Sequence, residues 1–127
     1  MATWEDIRTI AAALPETRED GARSWSVRDR SLAWERPLRK GDLEALGAAA
    51  PEGDILGVRV ADVGVKEALL ADDPAVYFTT PHFNGYPAVL VRLAEISPAE
   101  LRELLRDAWL ARAPKRLARA YLDEHPG

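Results

Sequence analysis

A chain of 127 residues with 47% hydrophobic and 30% charged content has the make-up of one globular domain over residues 1–127 and excludes a disordered tail. Its net charge of −4 runs against the basic excess usual in nucleic-acid-binding domains, whose affinity rests largely on phosphate contacts. The absence of cysteine excludes disulfides, thiolate metal sites, iron–sulfur clusters and thiol nucleophiles together, and suits a cytoplasmic protein.

The opening "MATWEDIRTI" is acidic and amphipathic, where a secretory signal would be basic and then apolar. No apolar run reaches bilayer length, so a membrane is not an expected partner. Thr3 caps a first helix with Asp6 three residues on, and Ile7, Ile10, Ala11 and Leu14 form its apolar stripe before Pro15 stops it. "PETREDGA" reads as a polar connection. Its Glu16, Glu19 and Asp20 have Arg18 among them and do not form a metal-ligand pattern. "RSWSV" and "SLAWER" alternate on either side of "RDR", which predicts a hairpin turning Trp25 and Trp34 toward the same core or cleft.

Residues 37–54 predict a short helix capped by Asp42, with Gly53 opening the next connection. "ILGVRV" is a strand and "VKEALLA" a short helix closed by "DDP". "AVYFT" and "AVLVRL" are strands joined by a loop holding Pro81, His82, Phe83, Gly85, Tyr86 and Pro87, long for a tight hairpin and so shaped by something beyond the turn. Ser97 caps a second long helix, with Pro98 in its first position, Glu100 completing a capping box, and Leu101, Leu104, Leu105, Ala108 and Trp109 on one face. Pro114 interrupts it, and a short basic helix through Leu117 and Tyr121 follows. The order of elements predicts an α+β two-layer sandwich, a mostly antiparallel sheet covered on one face by the N- and C-terminal helices.

Nucleotide signatures are missing. "GDILG" is not followed by Lys-Ser/Thr, and no G-x-G-x-x-G follows a strand. Ser24, Ser26, Ser31 and Ser97 lie outside any G-x-S-x-G elbow, and His82 and His125 are the only histidines. The sequence therefore assigns no catalytic residue, no metal and no cofactor, and an enzyme of known mechanism is the least supported class.

Two groups of residues remain. His82 reads either as a rim group that contacts a ligand or as a loop histidine bonded to backbone. Phe83 and Tyr86 beside it are loop anchors or stacking platforms, and Trp25 and Trp34 are core residues or the walls of a small-molecule pocket. The second group is basic. "RPLRK" gathers Arg36, Arg39 and Lys40, and "RAPKRLAR" gathers Arg112, Lys115, Arg116 and Arg119 without an acid. Helical spacing puts Arg112, Arg116 and Arg119 on one face, where they are solvated cations near a helix end or a phosphate site.

"ALPE", the Trp25 strand, "PHFNGYPAVLVRL" and the closing "LRDAWLARAPKRL" together resemble the MmcQ/YjbR family of small bacterial proteins over nearly the whole chain. The family's histidine–aromatic element between the last two strands corresponds to His82 and Phe83, and its helix ending to Trp109 through Leu117. The resemblance implies a fold similar to frataxin and a DNA-binding role, the latter resting on fold comparison. Residues 37–54 depart from the more direct connection of shorter members. The first helix, with only Glu5 and Asp6, does not carry over the acidic ridge of frataxin's iron site. Three functions follow in order: a non-enzymatic DNA-binding or regulatory module using the basic clusters, a small-ligand pocket near Trp25, Trp34, His82 and Tyr86, and a protein-interaction module.

Overall fold

The computed structural model describes residues 1–51 and 53–125. Helix α1 (Trp4–Ala12) starts at the expected capping box: the Asp6 N–H donates to the Thr3 hydroxyl at 3.2 Å and the Thr3 N–H to the Asp6 carboxylate at 2.9 Å. Strands β1 (Thr17–Glu19), β2 (Ser24–Val27), β3 (Arg30–Glu35), β4 (Ile55–Arg59), β5 (Tyr77–Phe78) and β6 (Ala88–Arg92) form one sheet in the order β1-β2-β3-β4-β6-β5. Every pairing is antiparallel. Helices α2 (Lys40–Leu46), α3 (Val63–Asp72), α4 (Pro98–Arg112) and α5 (Lys115–Glu124) complete the α+β fold. Among the described residues no helix is long and apolar enough to cross a membrane.

The main core lies on one face of the sheet. Alternation along the strands turns Trp25, Val27, Leu56, Val58, Val89 and Val91 against Ile7 and Ile10 of α1 and Leu101, Leu105 and Trp109 of α4. Trp109 is fully buried, and its indole N–H donates to the Pro15 carbonyl at 3.0 Å, which pins the end of the α1 connection to α4. Trp4 stacks on Trp25 with ring centres 6.3 Å apart. A smaller cluster sits on the opposite face, where Ile55, Phe78, Ala88 and Leu90 pack beneath Phe83, with Trp34, Leu38 and Leu46 at its margin.

Four expectations are revised by this arrangement. "PETREDGA" contains β1, an edge strand of three residues whose polar "TRE" shows no apolar alternation. Trp25 and Trp34 lie on opposite faces. The turn pairs Val27 with Arg30 and Ser26 with Ser31, but Trp25 then pairs with Ala33, so β3 carries one extra residue at Leu32. That bulge flips everything after it, because a one-residue shift exchanges the two faces of a strand. Asp42 does not cap α2 but sits in its first turn, accepting the Arg39 N–H at 2.9 Å. Ser97 caps α4 as expected, while the Glu100 carboxylate, instead of closing a capping box, accepts the Tyr77 hydroxyl at 2.6 Å.

Candidate functional site

The second face of the sheet builds a cleft. Trp34 of β3 stands opposite Gly57 of β4, and the indole rests where a side chain would be: a β-carbon on Gly57 would lie 2.6 Å from Trp34 Cε2. Glycine is thus the residue that lets the ring lie on the strand. One face of the indole is against backbone and the ring also lines the cleft.

The other wall is the loop between β5 and β6. A single 3₁₀ turn, Pro81–Phe83, drops Phe83 into the smaller cluster, and Gly85 at φ +74 turns the chain back toward β6. Lys66 holds this shape. It reaches from α3, 4% exposed, and its ammonium donates to the carbonyls of Phe83 at 2.5 Å and Tyr86 at 3.1 Å. Burial pushes its pKa below the usual lysine value. Arg59 of β4 holds the far end of the loop, donating to the Tyr86 hydroxyl at 2.9 Å and the Pro87 carbonyl at 3.2 Å. Its guanidinium lies 4.7 Å from the Tyr86 ring centre. His82 stands edge-on to Phe83 with centres 4.9 Å apart and is exposed. The resulting cleft holds about 500 Å³ between Ser31, Trp34, His82, Phe83, Asn84 and Tyr86.

Cations gather at one end of the cleft. Arg112, the last residue of α4, donates from Nε to the carbonyl of the cleft residue Ser31 at 3.0 Å, and Arg30 donates to the Arg112 carbonyl at 3.0 Å. Partial burial pushes the Arg112 pKa below its usual value, and the positive charges of Arg59 and Arg30 push it the same way. Among the described residues the ion pairs engage Arg8, Arg18, Arg23, Arg28 and Arg36, and Arg30, Arg59 and Arg112 are three of the cations outside them. Acids collect elsewhere: Asp72, Glu100, Glu103 and Asp107 line a hollow of about 490 Å³ beside α3 and α4. A net negative chain therefore carries a locally basic rim.

The residues singled out from the sequence are distributed as follows. Trp34, His82, Phe83 and Tyr86 come together in the cleft, while Trp25 is in the main core, 2% exposed. Arg36 is buried and pairs with Asp42 at 3.0 Å, while Arg39 and Lys40 are exposed at the start of α2. Arg112 ends α4, and Ala113 and Pro114 separate it from Lys115, Arg116 and Arg119 on α5, so these do not share the one helical face expected. Arg116 instead lines a shallow hollow with Arg28 and Leu117.

Sequence reasoning missed Arg30, Arg59 and Lys66. The period-2 pattern Ile55–Gly57–Arg59 could have placed Arg59 on the Trp34 face, whereas nothing local marks Lys66. Among the described residues no group of three or more histidines and carboxylates could hold a metal ion.

The exposure of the tryptophans gives a direct check. Trp4, Trp25 and Trp109 are 8%, 2% and 0% exposed, and Trp34 is half-buried at the cleft. Acrylamide is expected to quench Trp34 emission preferentially, and Trp34→Phe to remove most of the quenchable fraction, read by Stern–Volmer analysis.

The YjbR family pattern matches residues 12–111. An uncharacterized protein of Mycobacterium tuberculosis and one of Mycobacterium bovis are each 60% identical over 125 residues, covering 96% of this chain and 97% of the relative. A crystal structure of a Deinococcus radiodurans protein with a DUF419 domain superposes with a TM-score of 0.66 over 98% of this chain and 88% of that one, at 22% identity. That likeness, at 22% identity, concerns the fold alone. The family match spans most of the molecule, including Trp34 and the His82–Tyr86 loop and stopping one residue short of Arg112, and the mycobacterial likeness extends over 96% of the chain: the chain belongs to the YjbR family.

Proposed function

We propose that this chain is a non-catalytic nucleic-acid-binding module whose contact surface is the aromatic cleft and its arginine rim. The observation that supports this most is the set Arg30, Arg59 and Arg112, which lies beside the cleft and, among the described residues, outside any ion pair. A guanidinium offers five donors in a planar fork, and each of these arginines spends only one or two on neighbouring oxygens. The free donors suit phosphate oxygens. Lys115, Arg116 and Arg119, exposed on the helix that starts just after Arg112, continue the basic surface. Cytoplasmic residence, where such a partner is met, belongs to the same proposal.

The test is a titration of labelled oligonucleotides at low and near-physiological salt. Neutralising about three phosphates gives a log–log salt slope of roughly −2 to −3, so affinity should fall on the order of 20- to 60-fold between 50 and 200 mM salt. Arg30→Glu and Arg59→Glu should each weaken binding about tenfold or more. No binding at low salt, or binding indifferent to both reversals, overturns the assignment. A second reading, a small anionic ligand with a planar ring, is favoured by the volume of the cleft, which falls within the usual range of ligand pockets, roughly 300–1,000 Å³. Saturable thermal stabilisation by mononucleotides or aromatic acids, without oligonucleotide binding, would select it.

A further inference from the structure

Resting on the nucleic-acid assignment, we infer that the cleft receives an unpaired base, so that the chain prefers single strands to duplex. A duplex would leave half of this site unused. A duplex presents phosphates outward and stacks its base faces inside, so it can satisfy the arginines and still leave an aromatic recess idle. A single strand brings a base face and its phosphate within reach of each other.

The geometry matches the second partner. Trp34 has one face on the Gly57 backbone, and the ring is partly open to the cleft. Its ring centre is 6.2 Å from that of Phe83 with the planes tilted by 45°, so the two do not stack face to face and shut the recess. Tyr86, 42% exposed, forms the opposite side and is fixed through its hydroxyl by Arg59. Ser31 and Asn84 bring a hydroxyl and a carboxamide to the lining, groups able to meet base edges. The phosphate next to such a base would meet Arg59, bonded to Tyr86, and Arg112, bonded to the Ser31 carbonyl, because both cations are attached to residues of the cleft itself. The aromatic wall and the cations are thus two parts of one site.

The experiment compares a labelled dodecamer of deoxythymidine, the matching uridine strand, and a 12-base-pair duplex against the intact chain at low salt. The single strands should bind tighter than the duplex and quench Trp34 emission. Trp34→Ala should weaken single-strand binding about five- to a hundredfold, the range for loss of one base–aromatic stack, and leave duplex binding within twofold. Tyr86→Ala, at a position 42% exposed, should weaken single strands in the same direction should Trp34→Ala fold poorly, and an unchanged thermal midpoint separates that loss from loosening of the loop that Tyr86 helps Arg59 to hold. The deoxythymidine and uridine strands should agree within a few-fold, since the stacking ring and the phosphate-binding arginines meet groups common to both. Equal affinity for duplex and single strand, or single-strand binding unchanged by both variants, overturns the inference while leaving the nucleic-acid assignment standing. No binding to any of the three polymers overturns both.

Discussion

Asp42→Ala is expected to lower the unfolding free energy by about 3 kcal/mol, the lower end of the range for removing one partner of a buried ion pair. Asp42 and Arg36 are each 7% exposed at the side chain and lie 3.0 Å apart. Arg36 also donates to the Pro37 carbonyl and lies 5.3 Å from the Phe83 ring centre, so the pair joins α2 to the loop that walls the cleft. The effect falls at the lower end because both side chains keep a little contact with solvent, which tempers the loss. Removing the carboxylate leaves Arg36 buried without a counter-charge and the Arg39 N–H without its acceptor. Urea denaturation reads the effect as a lower midpoint at unchanged slope.

The same residue predicts a pH dependence. Burial favours the neutral carboxyl of Asp42, but the Arg39 N–H, the Arg36 charge and the neighbouring Thr80 and Arg36 donors jointly outweigh it and hold the folded pKa below its ordinary value of 3.8. A carboxylate depressed in the folded state contributes stability that is complete above its unfolded value and is lost as pH falls through the folded one. Wild-type stability should therefore decline below about pH 4, and the Asp42→Ala chain should lose less over that window. An identical acid slope in both chains would count against the pair as the source.

Gly57→Val is the second large effect expected, about 1–3 kcal/mol of destabilisation in spite of the better strand propensity of valine. Any β-carbon there meets the Trp34 ring at 2.6 and 2.7 Å, inside contact distance. Gly57 is buried in the middle of β4, paired with Trp34 on one side and Leu90 on the other, so the backbone has little room to yield. The indole must tip off the sheet, which should raise acrylamide quenching and weaken any ligand that uses the ring. Trp34→Ala/Gly57→Val should recover part of the loss, a non-additivity expected of residues in direct contact. Strict additivity in that cycle would mean that the clash is not the cause.

Much of the frame was legible in the sequence because it rests on local signals. The capping residues Thr3 and Ser97, the apolar stripes of α1 and α4, and the alternating runs of β4 and β6 each carry their own pattern within a few residues. The family resemblance placed His82 and Phe83 between the last strands, where they are found. What escaped depends on contacts between distant segments. The bulge at Leu32 leaves no mark in "SLAWER", yet it decides which face Trp34 takes. Lys66 looks like a solvent-facing residue of a short helix until the carbonyls of Phe83 and Tyr86 are brought to it. Arg36 belongs to an apparent basic run, but the fold brings Asp42 of the next helix against it. The rim was hidden for the same reason, since Arg30, Arg59 and Arg112 come from three separate elements.

The ends of the sheet have a bearing on how this molecule meets others. Its outermost strands are β1, with three residues, and β5, with two, beside central strands of four to six. A bare strand edge recruits further strands through its unused N–H and C=O groups, and the pull grows with the length of the free ladder. Here that ladder is cut to a few rungs on each side, and Arg92 of β6 reaches past β5 to the Pro74 carbonyl. Growth of the sheet by adding a neighbour's strand, the common route both to β-type dimers and to fibrils, is thereby discouraged. The encounters of such a molecule are directed away from its strand edges, to side-chain chemistry on its faces and loops.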